Sequence, residues 1–372
     1  MAVNRTLTAR RTWLTPILLL IGLAVALPAI YLTSTVDPQG HLKALPVALV
    51  VGDATVASGP SEAIAAAIEA NAGDELSITR MNGDELDAAM EKDQVAGAVV
   101  IPTDLATSPV AVLTNAGDGG LNTALLLGNV TPLLHGISQQ AGGFEITTGP
   151  YDVLPDNSGL GMSAFYYALV IVLLGFIGAS LVSPLVDSAL GFLPSEIGPL
   201  VERQPYTPVS RRATFLAKAA VLAGAAPIAA LVVQLVAGLI GVSVTSPVTL
   251  WAFATAAIIA IGTSALAVLS IFGAGIGSLV NTLFFVAMAM VSSGGTVPLN
   301  ATPGFFHWFS AIAPYRHVVD GTRSLFYFDG NLSAGLGSAW LTVLVGGTIG
   351  LLLGLVVTSL YGRVPAFSRQ PR

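Results

Sequence analysis

Residues 251–291 form an apolar stretch of 41 residues that contains no charged side chain. A helix needs about 20 apolar residues to cross the hydrocarbon core of a bilayer, so this stretch is too long for one crossing. Gly273, Gly275 and Gly277 interrupt it, and we predict a helical hairpin that turns there. A chain with such a stretch is expected to fold within a membrane rather than around a water-facing core.

Other apolar stretches flank this one, and each is long enough to cross a bilayer as a single helix. They are Trp13–Leu32, Met162–Val182, Phe215–Val242 and Trp340–Tyr361. Only 10% of the residues are charged and 53% are hydrophobic, whereas a soluble domain carries about 25% charged residues. With the hairpin counted as two crossings, we predict an integral membrane protein of six transmembrane helices, with both termini on one side.

The first stretch, Trp13–Leu32, follows a short run of arginines and is longer than the roughly 7–15 apolar residues of a secretory signal peptide. We therefore expect an uncleaved signal anchor, with residues 1–34 forming the N-terminus and the first helix. A cleaved signal peptide is the alternative, because Ala24-Val25-Ala26 satisfies the small-x-small rule for a cleavage site.

The charged residues are segregated along the chain. Residues 35–160 hold sixteen Asp and Glu but three Lys and Arg, and the rest of the chain holds five acids and twelve bases. Cytoplasmic loops carry an excess of Lys and Arg. We therefore predict that both termini and the loop 183–212 are cytoplasmic, that residues 35–160 lie outside, and that the chain resides in a cell membrane, with a bacterial inner membrane favoured. The bases that agree with this orientation are Arg5, Arg10, Arg11, Arg203, Arg211, Arg212, Lys218, Arg363, Arg369 and Arg372.

Residues 35–160 alternate predicted strands with predicted helices. Short buried strands are indicated by "LPVALVVGD", "LSITRM", "AGAVVIP" and "VAVLTN", and helices by "SEAIAAAIEANAG" and "GDELDAAMEKDQ". This alternation predicts a small extracytoplasmic α/β domain, with an at least partly parallel sheet, inserted between the first and second spans. A longer helix at about 122–140 could return the chain towards the membrane, where a domain of five helices (161–372) follows.

The sequence offers no catalytic or ATP-binding motif. A P-loop needs a lysine followed by Ser or Thr, and Lys43, Lys92 and Lys218 are followed by other residues. No cysteine and no G-x-S-x-G are present, and no His lies at metal-ligand spacing. We expect no enzyme, no cofactor in this chain and no nucleic-acid partner. Since no span carries a central Asp or Glu, active transport would draw its energy from a partner ATPase rather than from an ion gradient.

The segment 294–336 combines spaced prolines with a cluster of aromatic residues. Pro298 and Pro303 cannot continue a helix and are expected to end the fifth span. The stretch "GFFHWFSAI" then suits a short helix at the membrane interface, and Pro314 separates it from the next helix. This pattern favours a re-entrant element, packed against protein or a watery cavity. An amphipathic surface loop stabilised by a contact between Asp320 and Arg323 is the alternative.

The loop 183–212 contains "SALGFLPSEIGPLVERQPY", which could present a short helix to a cytoplasmic partner. The apolar residues available for that contact are Leu193, Ile197, Leu200 and Val201. Prolines at Pro194, Pro199 and Pro205 interrupt any such helix. The alternative is an ordinary basic loop attracted to anionic lipid.

Three stretches resemble the permease subunits of type-2 ABC exporters, and within that superfamily the YhgE/Pip-like branch. The first is "PVALVVGD" with "VAGAVVIPTDLATSPVAVLTN", and the second is "LVERQPYTPVSRRATFLAK". The third and most specific comprises Gly295, Pro298, Leu299, Pro303, Pro314, Asp320 and Arg323. The chain departs from the family pattern "E-R-E-x-G-T" with Gln204-Pro205-Tyr206, which shifts the resemblance towards the YhgE/Pip-like branch.

The resemblance implies a permease that moves a hydrophobic or lipid-like substrate out of the cytoplasm or inner leaflet, as a homodimer or a heterodimer with a similar permease. It implies a loop that couples to an ATP-binding subunit through Leu200, Glu202, Arg203, Pro208, Ser210, Arg211 and Lys218. It also implies a re-entrant gate formed by Pro298, Leu299, Pro303, Phe306, Trp308, Pro314, Tyr315, Asp320 and Arg323. The YhgE/Pip-like alternative is a membrane-anchored scaffold or receptor in a cell-envelope or secretion assembly.

The last span carries a ridge of small residues, Gly346, Gly350 and Gly354, spaced four apart. Such a ridge lets two helices approach closely. The partner helix can belong to the same chain or to a second copy, and the sequence leaves both open.

Overall fold

The computed structural model describes residues 10–35, 37–52, 59–197, 199–364 and 367. Within these ranges, four helices are long and apolar enough to cross a membrane: Met162–Ala189, Arg211–Ile240, Pro247–Val291 and Leu332–Arg363. The first helix, α1, spans Arg10–Thr35. Arg5, Arg369 and Arg372, which contribute to the predicted orientation, lie outside the described residues.

A mixed sheet of five strands lies between α1 and the first of these long helices in the described chain. Its strands are β1 (Leu45–Val51), β2 (Leu76–Met81), β3 (Gly97–Ile101), β4 (Val110–Thr114) and β5 (Ile146–Pro150). They run in the order β2-β1-β3-β4-β5, with β3 and β4 antiparallel and the other neighbours parallel. We call this part, 45–150, the sheet domain.

Helices cover both faces of the sheet. Successive side chains of a strand point to opposite faces, so a strand of consecutive apolar residues needs a covering layer on each side. Val47 and Leu49 of β1 face α3 (Pro60–Asn71) and the long helix α5 (Gly120–Gln140). Ala48 and Val50 face α4 (Gly83–Glu91) on the other side. A short helix, α2 (Pro38–His41), precedes β1.

The membrane-type helices pack around the hairpin 247–291. They are α6 (Met162–Ala189), α7 (Arg211–Ile240) and α12 (Gly337–Arg363), and the hairpin itself begins with α8 (Pro247–Asn281). Gly175 of α6 and Gly262 of α8 lie where these two helices cross, and a Cβ at Gly262 would be 3.0 Å from the Gly175 carbonyl oxygen. The small residues therefore permit the backbones to approach closely.

The chain reverses direction at Gly273, inside the glycine-rich stretch that predicts a turn. Gly273 has φ 77° and ψ 174°, a conformation open to glycine. The Asn281 side-chain amide donates to the carbonyl oxygen of Ala265 at 3.1 Å, a contact that a straight helix could not make across sixteen residues. The second arm continues as a π-helical segment (Thr282–Met288) and ends in α9 (Ala289–Val291).

Two expectations about local structure are wrong. Pro298 and Pro303 do not end the hairpin, because its second arm already stops at Val291, before Gly294 with φ 72°. The loop between α6 and α7 forms no helix in its described residues, 190–197 and 199–210. It forms an antiparallel pair, β6 (Ser195–Ile197) and β7 (Leu200–Glu202), since its spaced prolines exclude helical hydrogen bonding.

Candidate functional site

The segment 294–336 folds into two helices that meet the sheet domain. Pro303 directly precedes α10 (Gly304–Ser310), and Pro314 begins α11 (Pro314–Tyr327). Pro298 precedes a single 3-10 turn that starts at Leu299. Prolines suit these positions because the first residues of a helix have no intrahelical partner for their N–H groups.

The aromatic residues of this segment divide into buried and exposed sets. Phe306 and Tyr315 are buried, and the Tyr315 hydroxyl donates to the Phe165 carbonyl oxygen at 3.3 Å. Trp308 and Phe305 remain 65% and 58% exposed. The buried Tyr315 fixes α11 against the helix bundle, and the exposed rings form a surface typical of a membrane interface.

Arg323 on α11 connects the helix bundle to the sheet domain. Its Nη2 donates to the main-chain oxygen of Asp118 at 2.7 Å, and its Nη1 lies 3.8 Å from Asp118 Oδ1. Asp118 Oδ2 in turn accepts from the Asn122 side chain at 2.7 Å. The Arg323 side chain is only 7% exposed and that of Asp118 17%. Because both charged groups are largely removed from solvent, each depends on the other for charge compensation.

The remaining charges of α11 pair along the helix. Arg316 Nε lies 3.7 Å from Asp320 Oδ2, one turn apart, and Arg316 Nη1 donates to Ser310 Oγ at 3.2 Å. The ion pairs of α11 are therefore Arg316–Asp320 and Arg323–Asp118, and not the Asp320–Arg323 pair of the alternative surface-loop interpretation. Sequence spacing favours a pair on one helix, whereas Asp118 comes near only through the fold.

A polar cavity of about 220 Å³ lies between the sheet domain and α11, and we call it the junction cavity. Its lining includes Asp118, Asn122, Arg316, Asp320 and Arg323. Arg323 Nε and Asn122 Oδ1 are both buried and have no hydrogen-bond partner among the described residues. A liquid water molecule occupies about 30 Å³, so a polar cavity of this size can hold several. Burial, and then the neighbouring Asp93 carboxylate, raise the pKa of Asp118 well above its usual range.

A second buried ion pair lies at the far end of the bundle. Lys218 Nζ on α7 donates to Asp187 Oδ2 at 2.8 Å and to Ser183 Oγ at 2.9 Å on α6. The Lys218 and Asp187 side chains are 6% and 15% exposed. Lys218 is a candidate from the sequence, but its partner is not, because Asp187 lies 31 residues earlier on another helix.

We expect Asp187→Leu to lower the free energy of unfolding by about 3 kcal/mol, because it removes the carboxylate that the buried Lys218 ammonium contacts. Thermal unfolding of the detergent-solubilised chain measures this loss. The double variant Asp187→Leu/Lys218→Met is expected to be more stable than Asp187→Leu alone. Equal melting temperatures for the single and double variants would contradict the pairing.

The loop that carries β6 and β7 presents apolar side chains to solvent. Leu200 and Val201 are 71% and 67% exposed, and Glu202 and Arg203 are also exposed. Ser210 caps α7 by accepting from the Ala213 N–H, Pro208 precedes it in the loop, and the Arg211 Nε donates to the Phe367 carbonyl oxygen at 2.6 Å. The structure therefore places the predicted coupling residues in three settings: strand β7 with the residue that follows it, the start of α7, and the buried Lys218 pair.

The glycine ridge of α12 packs within this chain. A Cβ at Gly350 would lie 2.7 Å from Ser264 Cα on α8, and one at Gly354 would overlap the ring of Phe215 on α7. A Cβ at Gly346 would meet no described atom within 4 Å. The ridge therefore makes helix contacts through Gly350 and Gly354.

Comparison with known proteins gives one family. A family model described as ABC-2 family transporter protein matches residues 10–359, nearly the whole chain. No curated protein and no solved structure gives a significant match.

Proposed function

The chain belongs to the ABC-2 family of transporter proteins, and from that premise we propose that it exports a hydrophobic or lipid-like substrate with energy from a separate ATPase. It is a multi-pass membrane permease component of an ABC transporter. The uncharged faces of its long helices suit an apolar cargo. The proposed assembly is a dimer of permease subunits, either two copies of this chain or one copy with a similar permease.

The proposed orientation places the sheet domain outside the cell membrane and the β6–β7 loop in the cytoplasm, with six crossings if α1 and both arms of the hairpin span the bilayer. The distribution of arginine and lysine supports this orientation. The β6–β7 loop and the sheet domain lie at opposite ends of α6, which runs over 28 residues. At a rise of about 1.5 Å per residue this helix is long enough to separate them by a bilayer.

We propose that the segment 294–336 is a re-entrant gate at the outer end of the transport path. The buried Arg323–Asp118 contact supports this proposal. It ties α11 to the sheet domain at the outer end of the proposed path. Val297 and Ala301 of the segment 294–336 are also part of the sheet domain's hydrophobic core. A movement of α11 would therefore move the sheet domain with it, which suits a re-entrant element that opens and closes as one body.

The proposed contact with the ATPase is the β6–β7 hairpin. Leu200 and Val201 offer an exposed apolar pair beside the charged Glu202 and Arg203. An exposed apolar pair with a charged rim is a common basis for a protein contact. The hairpin differs from the helix that the resemblance implies, and this difference favours a second candidate, a YhgE/Pip-like scaffold in an envelope assembly without an ATPase.

Affinity purification of the full chain from native membranes tests the two candidates. We expect an ATP-binding subunit to co-purify and its yield to fall at least about tenfold in Leu200→Asp/Val201→Asp, because charge in the apolar contact costs more than about 1.4 kcal/mol. Val153→Asp is the matched control, since Val153 is 87% exposed beyond the sheet domain. A complex with an envelope protein and no ATPase would instead support the scaffold.

A further inference from the structure

A second open pocket lies where α2 meets α10, beside the junction with the helix bundle. It has a volume of about 490 Å³, and its lining includes His41, Lys43 and His307. Two of the chain's four histidines and one of its three lysines therefore face one space. We call it the basic pocket.

The main chain holds this pocket in place. The Lys43 N–H donates to the Asn300 carbonyl oxygen at 2.8 Å, and the Asn300 side chain donates to the Ala44 carbonyl oxygen at 2.9 Å. Ala44 has φ 49°, a conformation that costs a non-glycine residue about 1–3 kcal/mol and persists where its surroundings hold it. The reciprocal hydrogen bonds with Asn300 supply that restraint. Lys43 is thus fixed at the edge of the segment 294–336.

The charge of the pocket contrasts with that of the sheet domain. Residues 35–160 contain sixteen acids and three bases. Arg80 is engaged by Glu62 and Glu69 at 2.8 and 2.6 Å, whereas Lys43 is exposed and lines the pocket. The nearby Asp37 carboxylate accepts the Gly40 N–H at 2.9 Å as a helix cap. The pocket is therefore a local source of positive charge on an acidic domain.

Exposed apolar side chains lie next to this charge. Phe305 and Trp308 project from α10, the helix that also carries His307, and Ile312 follows with 54% exposure. Aromatic residues, Trp in particular, are enriched at the level of the lipid headgroups. A phosphate and an apolar tail joined in one molecule would match the adjacent basic and apolar surfaces.

We propose that the basic pocket binds the headgroup phosphate of an anionic phospholipid from the leaflet that faces the sheet domain. The Lys43 ammonium and the His307 ring donate N–H groups to the phosphate oxygens, and His41, whose Nδ1 donates to the Asp37 main-chain oxygen at 2.7 Å, lines the pocket beside them. Phe305 and Trp308 contact the glycerol and the upper part of the acyl chains. The bound lipid spans α2 and α10, and so fastens the sheet domain to the membrane. The inference does not depend on the nature of the exported substrate.

The test is native mass spectrometry of the full detergent-solubilised chain titrated with phosphatidylglycerol or with phosphatidylcholine of equal chain length. We expect preferential retention of phosphatidylglycerol, and Lys43→Gln is expected to reduce that preference about fivefold, the effect of one lysine near an anionic surface. Lys92→Gln is the matched control, because Lys92 is an exposed lysine of the same acidic stretch, residues 35–160, and lies outside the pocket.

Equal lipid retention by the Lys43→Gln and Lys92→Gln variants would overturn the proposal. So would displacement of the lipid by millimolar inorganic phosphate, which would indicate a site for a free anion. The Lys43 side chain is exposed, so both variants are expected to keep the melting temperature of the unaltered chain. If Lys43→Gln alone lowers it, the lipid titration is repeated with His307→Gln, which alters the same pocket at another residue. ATPase co-purification is independent of this result, so the two proposals fail separately.

Discussion

Replacing Gly350 by leucine is expected to prevent assembly of the helix bundle, whereas the same change at Gly346 is expected to be tolerated. A side chain at Gly350 would meet the Ser264 main chain, with Cβ 2.7 Å from Ser264 Cα. A main-chain atom in a packed helix cannot move aside as a side-chain tip can. Overpacking in a core usually costs about 1–3 kcal/mol, and we expect Gly350→Leu to exceed that range.

Gly346→Leu is the matched control, because it adds the same side chain to the same helix one turn earlier. The position meets no described atom within 4 Å. Size-exclusion chromatography and thermal unfolding in detergent measure both variants. If Gly346→Leu and Gly350→Leu behave alike, α12 does not pack against α8 in the register described.

Arg323→Met is expected to cost about 3–5 kcal/mol of stability and to abolish the proposed export. The substitution leaves Asp118 buried without its cation, and breaking a buried pair on one side has a penalty of that size. It also cuts the contact through which α11 holds the sheet domain. Chemical unfolding in detergent measures the stability, and transport in vesicles containing the ATPase measures the function.

Arg316→Met is the control for this prediction, since Arg316 lies on the same helix and also pairs with an aspartate. Its side chain is 40% exposed and that of Asp320 is 27% exposed, and a pair in contact with solvent contributes about 0–1 kcal/mol. We therefore expect a small effect. Comparable losses in the two variants would show that the Asp118 contact has no special role.

The effect of Arg323→Met is expected to depend on pH. Burial raises the pKa of Asp118 in the folded chain, and the Arg323 guanidinium lowers it. Removing Arg323 therefore raises the pKa of Asp118 further. An acid whose pKa is raised on folding stabilises the folded state at low pH, and this contribution is lost as pH rises through the folded pKa. The difference in melting temperature between the variant and the unaltered chain should therefore be smaller at about pH 5 than at about pH 8. A difference that is constant with pH would contradict a carboxylate penalty.

Much of the local structure follows from residue patterns. The expected strands and helices of the sheet domain lie at β1 to β4 and α3 to α5, since alternation and caps are local properties. The turn of the hairpin could also be located, because Gly273 adopts a conformation that other residues avoid. The β6–β7 pair was missed, since three residues per strand leave a periodicity too short to read.

Only one partner of the buried ion pair at the candidate site could be predicted from the sequence. Arg323 follows from its position in a distinctive segment, but Asp118 resembles the other acidic turn residues of the sheet domain. No local signal distinguishes it, and the two are 205 residues apart. Gly346, Gly350 and Gly354 likewise have the same spacing, and their sequence gives no reason to separate them.

The sequence by itself determined that this chain spans a membrane, where the hairpin turns, and where the long helices begin and end to within a few residues, except at the C-terminal end of α6, which runs past Val182 to Ala189. These properties depend on hydrophobicity and backbone freedom, which are fixed residue by residue. Only the tertiary structure decided that Arg323 pairs with Asp118, that Lys218 pairs with Asp187, and that Gly350 packs closely while Gly346 does not. Ion pairing and close packing depend on distances between segments remote in the chain, and those distances exist only once the helices and the sheet have docked.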